Sequence, residues 1–300
     1  MCAGAKQTGF NGTRKPECEH IGRIMKRRAF IKTVAISCAG CCCNQLEGLG
    51  HTASAVSGAQ SSAVSIPRQI DKAGIYRGAP LSVDGKTYSP ATLLKKYDDQ
   101  KLWRRQLYLP VFGENMIDGI LYEMRASYAA VIPHIPFIGR HNYHLQWVIP
   151  NAEKLADYLV AKDYGVTIAQ FSSLHLAQAA RDLYDKYSEQ QRRQIGKSQF
   201  GIIAELMMRM VAFRSQLRVY PDDYILKFVK GNGDDFDWGL DYTQCTNIFL
   251  YERHGARDLV YPLICAMDYV AGAALYTGYH RTKTLVLGDP LCDMRWKWQG

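Results

Sequence analysis

The chain has 300 residues, 47% of them hydrophobic, and a formal net charge of +9. This length is sufficient for one large domain, and no stretch after residue 55 is apolar for long enough to cross a membrane as a helix. A basic excess indicates a nucleic-acid partner only where it belongs to the folded part of the chain, so its distribution along the sequence decides its meaning.

The first 55 residues are predicted to be processing and targeting sequence. Residues 1–24 show neither helical nor strand periodicity, and we interpret them as an over-extended N-terminus. Residues 25–55 match a twin-arginine signal peptide. Arg27 and Arg28 begin an R-R-x-F-x-K pattern, a short apolar stretch follows, and an A-x-A cleavage pattern ends the segment. We therefore expect export by the twin-arginine machinery to the periplasm or cell envelope.

The same segment contains an alternative processing site. Ala39, Gly40 and Cys41 resemble a lipoprotein cleavage site, although Cys38 occupies the position where leucine is usual. Lipidation of Cys41 would anchor the mature protein, and this is the only membrane contact that we expect.

Removing the targeting segment changes what the charges and cysteines indicate. The remaining 245 residues carry 29 basic and 25 acidic side chains, so the sequence predicts no nucleic-acid partner. Three cysteines remain, all within the last 60 residues. Because an odd, clustered set is not typical of a disulfide framework, we interpret Cys245, Cys265 and Cys292 as residues of a site.

The mature chain is predicted to be a linker followed by one α+β domain. Residues 56–75 have the Ser, Ala and Gly content of a linker, and residues 76–300 form the domain. Apolar residues at spacings of three and four predict helices through 76–220. Residues 221–300 predict strand, strand, helix, strand and strand, at 224–231, 243–253, 256–277, 282–288 and 292–298. This order indicates a helical layer packed on a four-stranded antiparallel sheet.

The last predicted strand has two chemically different faces. By the period of two, Cys292, Met294 and Trp296 share one face, whereas Asp293 lies on the other. Cys292 should therefore point toward the helices, and Asp293 should be more exposed.

The predicted helix near 256–277 contains an isolated carboxylate. Asp268 is the only acidic or basic side chain between residues 259 and 276, and Cys265 lies one turn before it. A buried carboxylate is normally paired, protonated or poised for chemistry. One interpretation is a catalytic site, and the other is a structural ion pair between Asp268 and Arg281, with Cys265 as a small core residue.

The same region raises the question of a metal. Cys245, Glu252 and His280 add possible ligands, but no pair has the close C-x-x-C or H-x-x-x-H spacing that zinc sites favour. The sequence therefore predicts no metal and no cofactor, and a zinc site stays open as an alternative.

The C-terminal part resembles a known enzyme family. From Cys245 onward the chain reads C-x6-E-x12-C-x2-D, followed by R-T-x-T-L-x-L-G-D-x-x-C-D-M-R-W. This run of about 55 residues resembles the L-2-amino-thiazoline-4-carboxylic acid hydrolase family. The family commonly has an aromatic residue where this chain has Met294. The closest likeness is carried by Arg281, Gly288, Cys292, Asp293 and Arg295.

The resemblance implies hydrolytic opening of a cyclic amidine to an N-carbamoyl cysteine-type product. Such chemistry would suit Asp268 as an acid or base, Cys292 or Cys265 as a nucleophile, and Arg281 as a clamp for the substrate carboxylate. A thiol nucleophile would need a neighbour that lowers its pKa. The catalytic candidates are Cys292, Cys265, Asp268, Asp293 and Glu252, and the substrate-binding candidates are Arg281, His280 and Cys245.

Two other functions are compatible with the sequence. A strand-strand-helix-strand-strand unit that ends in a cysteine strand also resembles 4-vinyl-reductase-like sensor domains, which hold small ligands without catalysis. Twin-arginine export also carries folded, cofactor-loaded proteins, which would fit a redox protein or metalloprotein.

Overall fold

The computed structural model describes residues 86–300. The predicted N-terminal extension (1–24), signal peptide (25–55), linker (56–75) and first residues of the domain (76–85) lie outside the described residues. Within 86–300, no helix combines the length and the apolar character needed to cross a membrane.

Helices occupy the first part of the described chain. They bury apolar residues at helical spacing, as Ile117, Leu121, Met124 and Tyr128 do where the helix Ile117–Val131 packs against the helix Leu145–Ala161. The helices are α1 (Pro90–Asp98), α2 (Lys101–Phe112), α3 (Ile117–Val131), α4 (Leu145–Ala161), α5 (Ile168–Lys186), α6 (Glu189–Lys197) and α7 (Ile202–Gln216).

The predicted α+β class is confirmed, but the number of strands is wrong. Residues 86–300 form a three-stranded antiparallel sheet in the order β1-β2-β3, not a four-stranded one. Its strands are β1 (Ile225–Lys230), β2 (Trp238–Gln244) and β3 (Cys292–Trp296). The predicted alternation in the last strand is confirmed, because Cys292, Met294 and Trp296 are buried and Asp293 is only half-buried.

The predicted strand 243–253 is wrong. β2 ends at Gln244, and Thr246–Arg253 form helix α8. The buried residues of α8 recur at a spacing of four, since Asn247 and Tyr251 both face inward. The Tyr251 hydroxyl donates a hydrogen bond of 2.8 Å to the backbone of α4. Packing against α4 therefore overrides the strand preference of the β-branched and aromatic residues here.

The predicted strand 282–288 is also wrong, and side chains explain why. Asp293 accepts a hydrogen bond of 2.8 Å from the backbone N–H of Thr282, and Asp289 accepts one of 2.7 Å from Thr284. The Cys292 thiol accepts from the backbone N–H of Leu285 at 3.2 Å. These acceptors bind the N–H groups that a strand would give to a neighbour, so the segment forms a loop with one 3₁₀ turn.

The predicted helix over 256–277 is present in three connected pieces. A 3₁₀ turn (Arg257–Leu259) leads into a π-helical turn (Val260–Cys265), and α9 (Ala266–Ala274) follows. α9 packs against α5, while α7 packs against β1. One large core thus joins the helical layer to the buried face of the sheet.

Candidate functional site

A cavity of about 120 Å³ lies beside the end of the sheet where Tyr242 pairs with Cys292. Its wall comes from α4 and the residue before it, the junction of β2 with α8, the π-helical turn leading into α9, and β3 with its preceding loop. Five of the eight candidates from the sequence line it, namely Cys245, Cys265, Asp268, Arg281 and Cys292. Residues that are up to 47 positions apart in the chain therefore share one small space.

The π-helical turn places Cys265 and Asp268 on the cavity wall. Single π-helical turns are uncommon and occur often at functional sites. Here the turn ends at Cys265, and α9 begins at the next residue, so that Asp268 lies in the first turn of α9. The one-turn spacing seen in the sequence thus directs both side chains into the same cavity.

Asp268 is a half-buried carboxyl with an incomplete set of partners. Its Oδ2 lies 3.7 Å from Arg281 Nη1 and accepts a long hydrogen bond of 3.4 Å from the Tyr279 hydroxyl. Burial raises the pKa of Asp268 to about 7, although the Arg281 cation and Tyr279 act in the opposite direction. The carboxyl is therefore placed to change its protonation state near neutral pH.

Arg281 is almost completely enclosed, with its side chain 3% exposed. Its Nη2 donates to the backbone carbonyl of Cys265 at 3.3 Å, and its own carbonyl accepts from the Tyr269 hydroxyl at 3.3 Å. The ion pair with Asp268 that the structural interpretation of the sequence expected is thus present. Within residues 86–300, however, Arg281 Nε has no hydrogen-bond acceptor.

The three thiols are free and lie in the same cavity. Burial raises the pKa of Cys245 to about 12, and it also raises the pKa of Cys265 and Cys292. The nearby Arg281 cation and the Leu285 N–H favour a thiolate at Cys292, but burial outweighs both. These two neighbours therefore do not lower the pKa of Cys292 enough to make it a thiolate nucleophile.

The sequence analysis missed the wall that α4 contributes. Trp147, Asn151 and Lys154 recur at helical spacing and all face the cavity. Lys154 Nζ donates to Asn151 Oδ1 at 3.1 Å, and burial lowers the pKa of this lysine to about 8. The W-x3-N-x2-K spacing is the signal that could have placed these residues on one face.

His144 and Asn247 complete the polar lining that was missed. His144 Nε2 lies 3.2 Å from the Tyr242 hydroxyl, and burial lowers the pKa of this histidine to about 3. Asn247 is in the first turn of α8, within the segment that was predicted to be a strand. A prediction of a helix in this segment would have been needed to place its side chain on the cavity side.

Three sequence candidates lie outside the cavity. Glu252 is exposed and forms an ion pair with Arg257, and His280 is exposed and pairs through its backbone with Arg295. Partial burial would raise the pKa of Asp293, but hydrogen bonds that hold the 282–288 loop lower it below its usual value. The geometry thus gives these three residues structural positions away from the cavity.

No group of three or more His, Cys, Asp or Glu side chains in the described part of the chain is arranged to hold a metal ion. The polar groups that face the cavity are cations, a carboxyl and amides around an apolar wall, a combination that is typical of small-molecule sites.

Comparison with known proteins gives no relative, since neither a family model, nor a curated protein, nor a solved structure matches this chain.

Proposed function

We propose that this protein is a hydrolase that opens a small cyclic amidine, with L-2-amino-thiazoline-4-carboxylate as the reference substrate. The observation that carries the proposal is the Asp268 carboxyl, which is poised at a pKa of about 7 in a small cavity. A carboxyl with a pKa near the working pH is suited to both accepting and donating a proton. The C-terminal likeness to the hydrolase family supports the same chemistry.

The size of the cavity limits the substrate class. A dry protein cavity of roughly 150 Å³ binds benzene. The cavity of about 120 Å³ is of similar size and partly open, so it can hold a single five-membered ring whose substituents extend toward the opening.

The proposed reaction consumes one water and needs no other reactant. Water adds to the ring carbon that lies between nitrogen and sulfur, and this gives a tetrahedral intermediate. The C–S bond then breaks, the electron pair leaves with sulfur, and the carbon becomes a urea carbonyl. The product is an N-carbamoyl cysteine, which contains all atoms of the substrate and the water.

Asp268 supplies the proton transfers in this scheme. Its ionised form takes a proton from the attacking water and passes it to the ring nitrogen. It then takes the hydroxyl proton of the tetrahedral intermediate and passes that proton to the leaving sulfur. Arg281, 3.7 Å away, keeps a cation beside the carboxylate while the water is activated. The carboxyl ends the cycle in the state in which it began.

The nucleophile in this proposal is water and not a thiolate. Burial holds the pKa of Cys245, Cys265 and Cys292 above the ordinary thiol value, so all three are protonated at neutral pH. Protonated thiols behave as small apolar groups. They form an apolar part of the cavity wall beside the ring.

We also propose that the protein acts outside the cytoplasm, as an exported protein with or without a lipid anchor at Cys41. Replacing Arg27 and Arg28 with lysine should leave uncleaved precursor in the cytoplasm. If the wild-type chain is itself uncleaved and cytoplasmic, the export proposal is wrong, while the chemistry of the cavity is unaffected.

The function is tested by incubating purified protein with L-2-amino-thiazoline-4-carboxylate and following the product by mass spectrometry. Hydrolysis should add 18 mass units, the mass of one water, and release one free thiol per turnover. Binding without turnover would favour the second candidate, a small-ligand-binding module. The ion pair between Asp268 and Arg281 favours this second candidate, because such a pair can stabilise a binding cavity without taking part in a reaction.

A further inference from the structure

Lys154 presents to the cavity a cation that has no direct ion pair within residues 86–300. Its only hydrogen-bond partner in that range is Asn151 Oδ1, and no carboxylate oxygen of the range lies within 4.0 Å of its Nζ. Burial disfavours its charged form more strongly than the more distant Glu153 and Asp157 favour it. Enclosing an ammonium group without a direct counter-ion is costly. Such a group in a cavity wall indicates an anion among the ligands of that cavity.

Two further polar atoms on the same wall lack partners in the described chain. Asn247 Oδ1 is buried without a hydrogen-bond donor, and Arg281 Nε is buried without an acceptor. Because native proteins satisfy nearly all buried polar groups, each of these atoms indicates a ligand atom of the opposite kind. The required ligand has at least one N–H or O–H group and at least one acceptor.

The charges of the wall set the net charge of this ligand. Arg281 is already engaged with the Asp268 carboxyl and with the backbone carbonyl of Cys265. This pair is close to neutral when Asp268 is ionised, and Lys154 then leaves the cavity with about one positive charge. A monoanion would neutralise it.

We infer that the cavity is a binding site for a small ring that carries one carboxylate, with that carboxylate on Lys154 and a ring or exocyclic N–H on Asn247. This inference rests on the proposed function and deepens it, because it assigns the substrate carboxylate to Lys154 and not to Arg281. α4 then recognises the acid, and α9 with the 276–291 loop faces the carbon that reacts.

The inference can be tested with ligands that the proposed enzyme cannot open. Thiazolidine-4-carboxylate keeps the five-membered ring, its N–H and the carboxylate but lacks the amidine, and thiazolidine lacks the carboxylate as well. Calorimetric titration of the purified protein should give a dissociation constant that is about 10- to 100-fold lower for the acid than for thiazolidine, as expected for a charge-assisted hydrogen bond.

Substitution identifies which cation is responsible. Lys154→Met keeps most of the side-chain volume and removes the charge, so it should abolish the preference for the acid. Asn247→Leu should weaken both ligands by a similar factor, since both carry the ring N–H. Lys197→Met is the matched control, because Lys197 is exposed and has no partner in the described chain, and it should leave both affinities unchanged.

The thermal stability of the ligand-free protein gives an independent measurement. If Lys154 is an uncompensated cation, Lys154→Met should raise the melting temperature by about 2 °C or more, whereas a structural lysine would lower it when replaced. A preference for the acid that persists in Lys154→Met, or a lowered melting temperature, would overturn the inference. Binding of the acid through Lys154 without amidine hydrolysis would instead refute the proposed function and leave the inference standing.

Discussion

Two neighbouring residues of α4 belong to opposite kinds of charged environment. Glu153 faces the helical layer, where Arg104 Nη2 lies 2.5 Å from its Oε2. Lys154 faces the cavity, where no carboxylate of the described chain pairs with it. Two adjacent positions of α4 thus hold an ion-paired charge and a charge that has no direct ion pair, and the second indicates a ligand site.

The cluster around Glu153 shows what ion-paired burial looks like in this protein. Arg104 Nε lies 3.4 Å from Asp157 Oδ2, and the hydroxyls of Tyr97 and Tyr108 donate to the same carboxylate at 2.5 and 3.0 Å. Each charge therefore faces an opposite charge and further donors. We interpret this cluster, defined by Arg104, Glu153 and Asp157, as structural.

The largest expected effect is on this structural cluster. Arg104→Met removes the cation that forms ion pairs with two buried carboxylates, so the free energy of unfolding should fall by about 3 to 5 kcal/mol. Urea denaturation followed by circular dichroism measures this change. Below the transition, the folded fraction should still bind thiazolidine-4-carboxylate, because Arg104 does not line the cavity.

The adjacent residue provides the control for that experiment. Arg105 pairs with Glu114 and Asp118 at the surface, so Arg105→Met should change the unfolding transition very little. Equal effects of the two substitutions would contradict the division of α4 into a structural side and a ligand side.

The second effect concerns the cavity. Asp268→Asn keeps the shape of the side chain but prevents proton transfer, so kcat/KM for the thiazoline should fall by roughly 100-fold or more. Asp258→Asn is the control, since Asp258 is exposed in the 3₁₀ turn that precedes the π-helical turn. Wild-type turnover in Asp268→Asn would remove Asp268 from the reaction.

The sequence indicated the α9 side of the site but not the α4 side. Asp268 stands out because it is a lone charge in an apolar helix, and the period of two in β3 turns Cys292 inward. No comparable sequence signal distinguishes Lys154. Its helix also contains Glu153 and Asp157, so the three charged residues resemble the solvent-exposed face of an ordinary amphipathic helix. The position of Lys154 on the cavity wall follows from the packing of α4 against α3 and α8, which local periodicity does not reveal.

The errors in the fold have a similar cause. Segments 243–253 and 282–288 contain residues that favour strands, and the sequence gives no information on what they pack against. In the first, contact with α4 stabilises a helix, and in the second, Asp289 and Asp293 capture the backbone N–H groups. Assigning the first segment as a strand also hid Asn247, so an error in the fold became an omission from the site.

The third effect is on the pH dependence of kcat/KM, which should be narrow. The pKa of Asp268 is raised to about 7, so the ionised base is lost as the pH falls through 7, and the rate should drop up to tenfold per unit below it. The pKa of Lys154 is lowered to about 8 by burial, against the opposing effect of Glu153 and Asp157, so its cation is lost as the pH rises through 8. His144 stays neutral across this range, and burial raises the pKa of the three thiols of the cavity.

Variants assign each limb of this profile. The residual activity of Lys154→Met should lose the alkaline limb and keep the acidic one, while that of Asp268→Asn should show the reverse. An acidic limb that persists without Asp268 would have to come from the substrate, which its own titration in the absence of protein would reveal.

The smallest effect is expected at Cys292. If water is the nucleophile, Cys292→Ser should lower kcat/KM less than tenfold, because a protonated thiol contributes only shape and the acceptor for the Leu285 N–H. The new hydroxyl is polar in an apolar wall, so a stability loss of about 1 kcal/mol is expected. Cys265→Ser should behave in the same way.

A loss of 100-fold or more in either variant, with an unchanged melting temperature, would instead identify a thiol nucleophile. In that case, bound substrate would have to lower the pKa of the thiol. Rapid mixing should then show a covalent adduct, and this adduct should still form in Asp268→Asn.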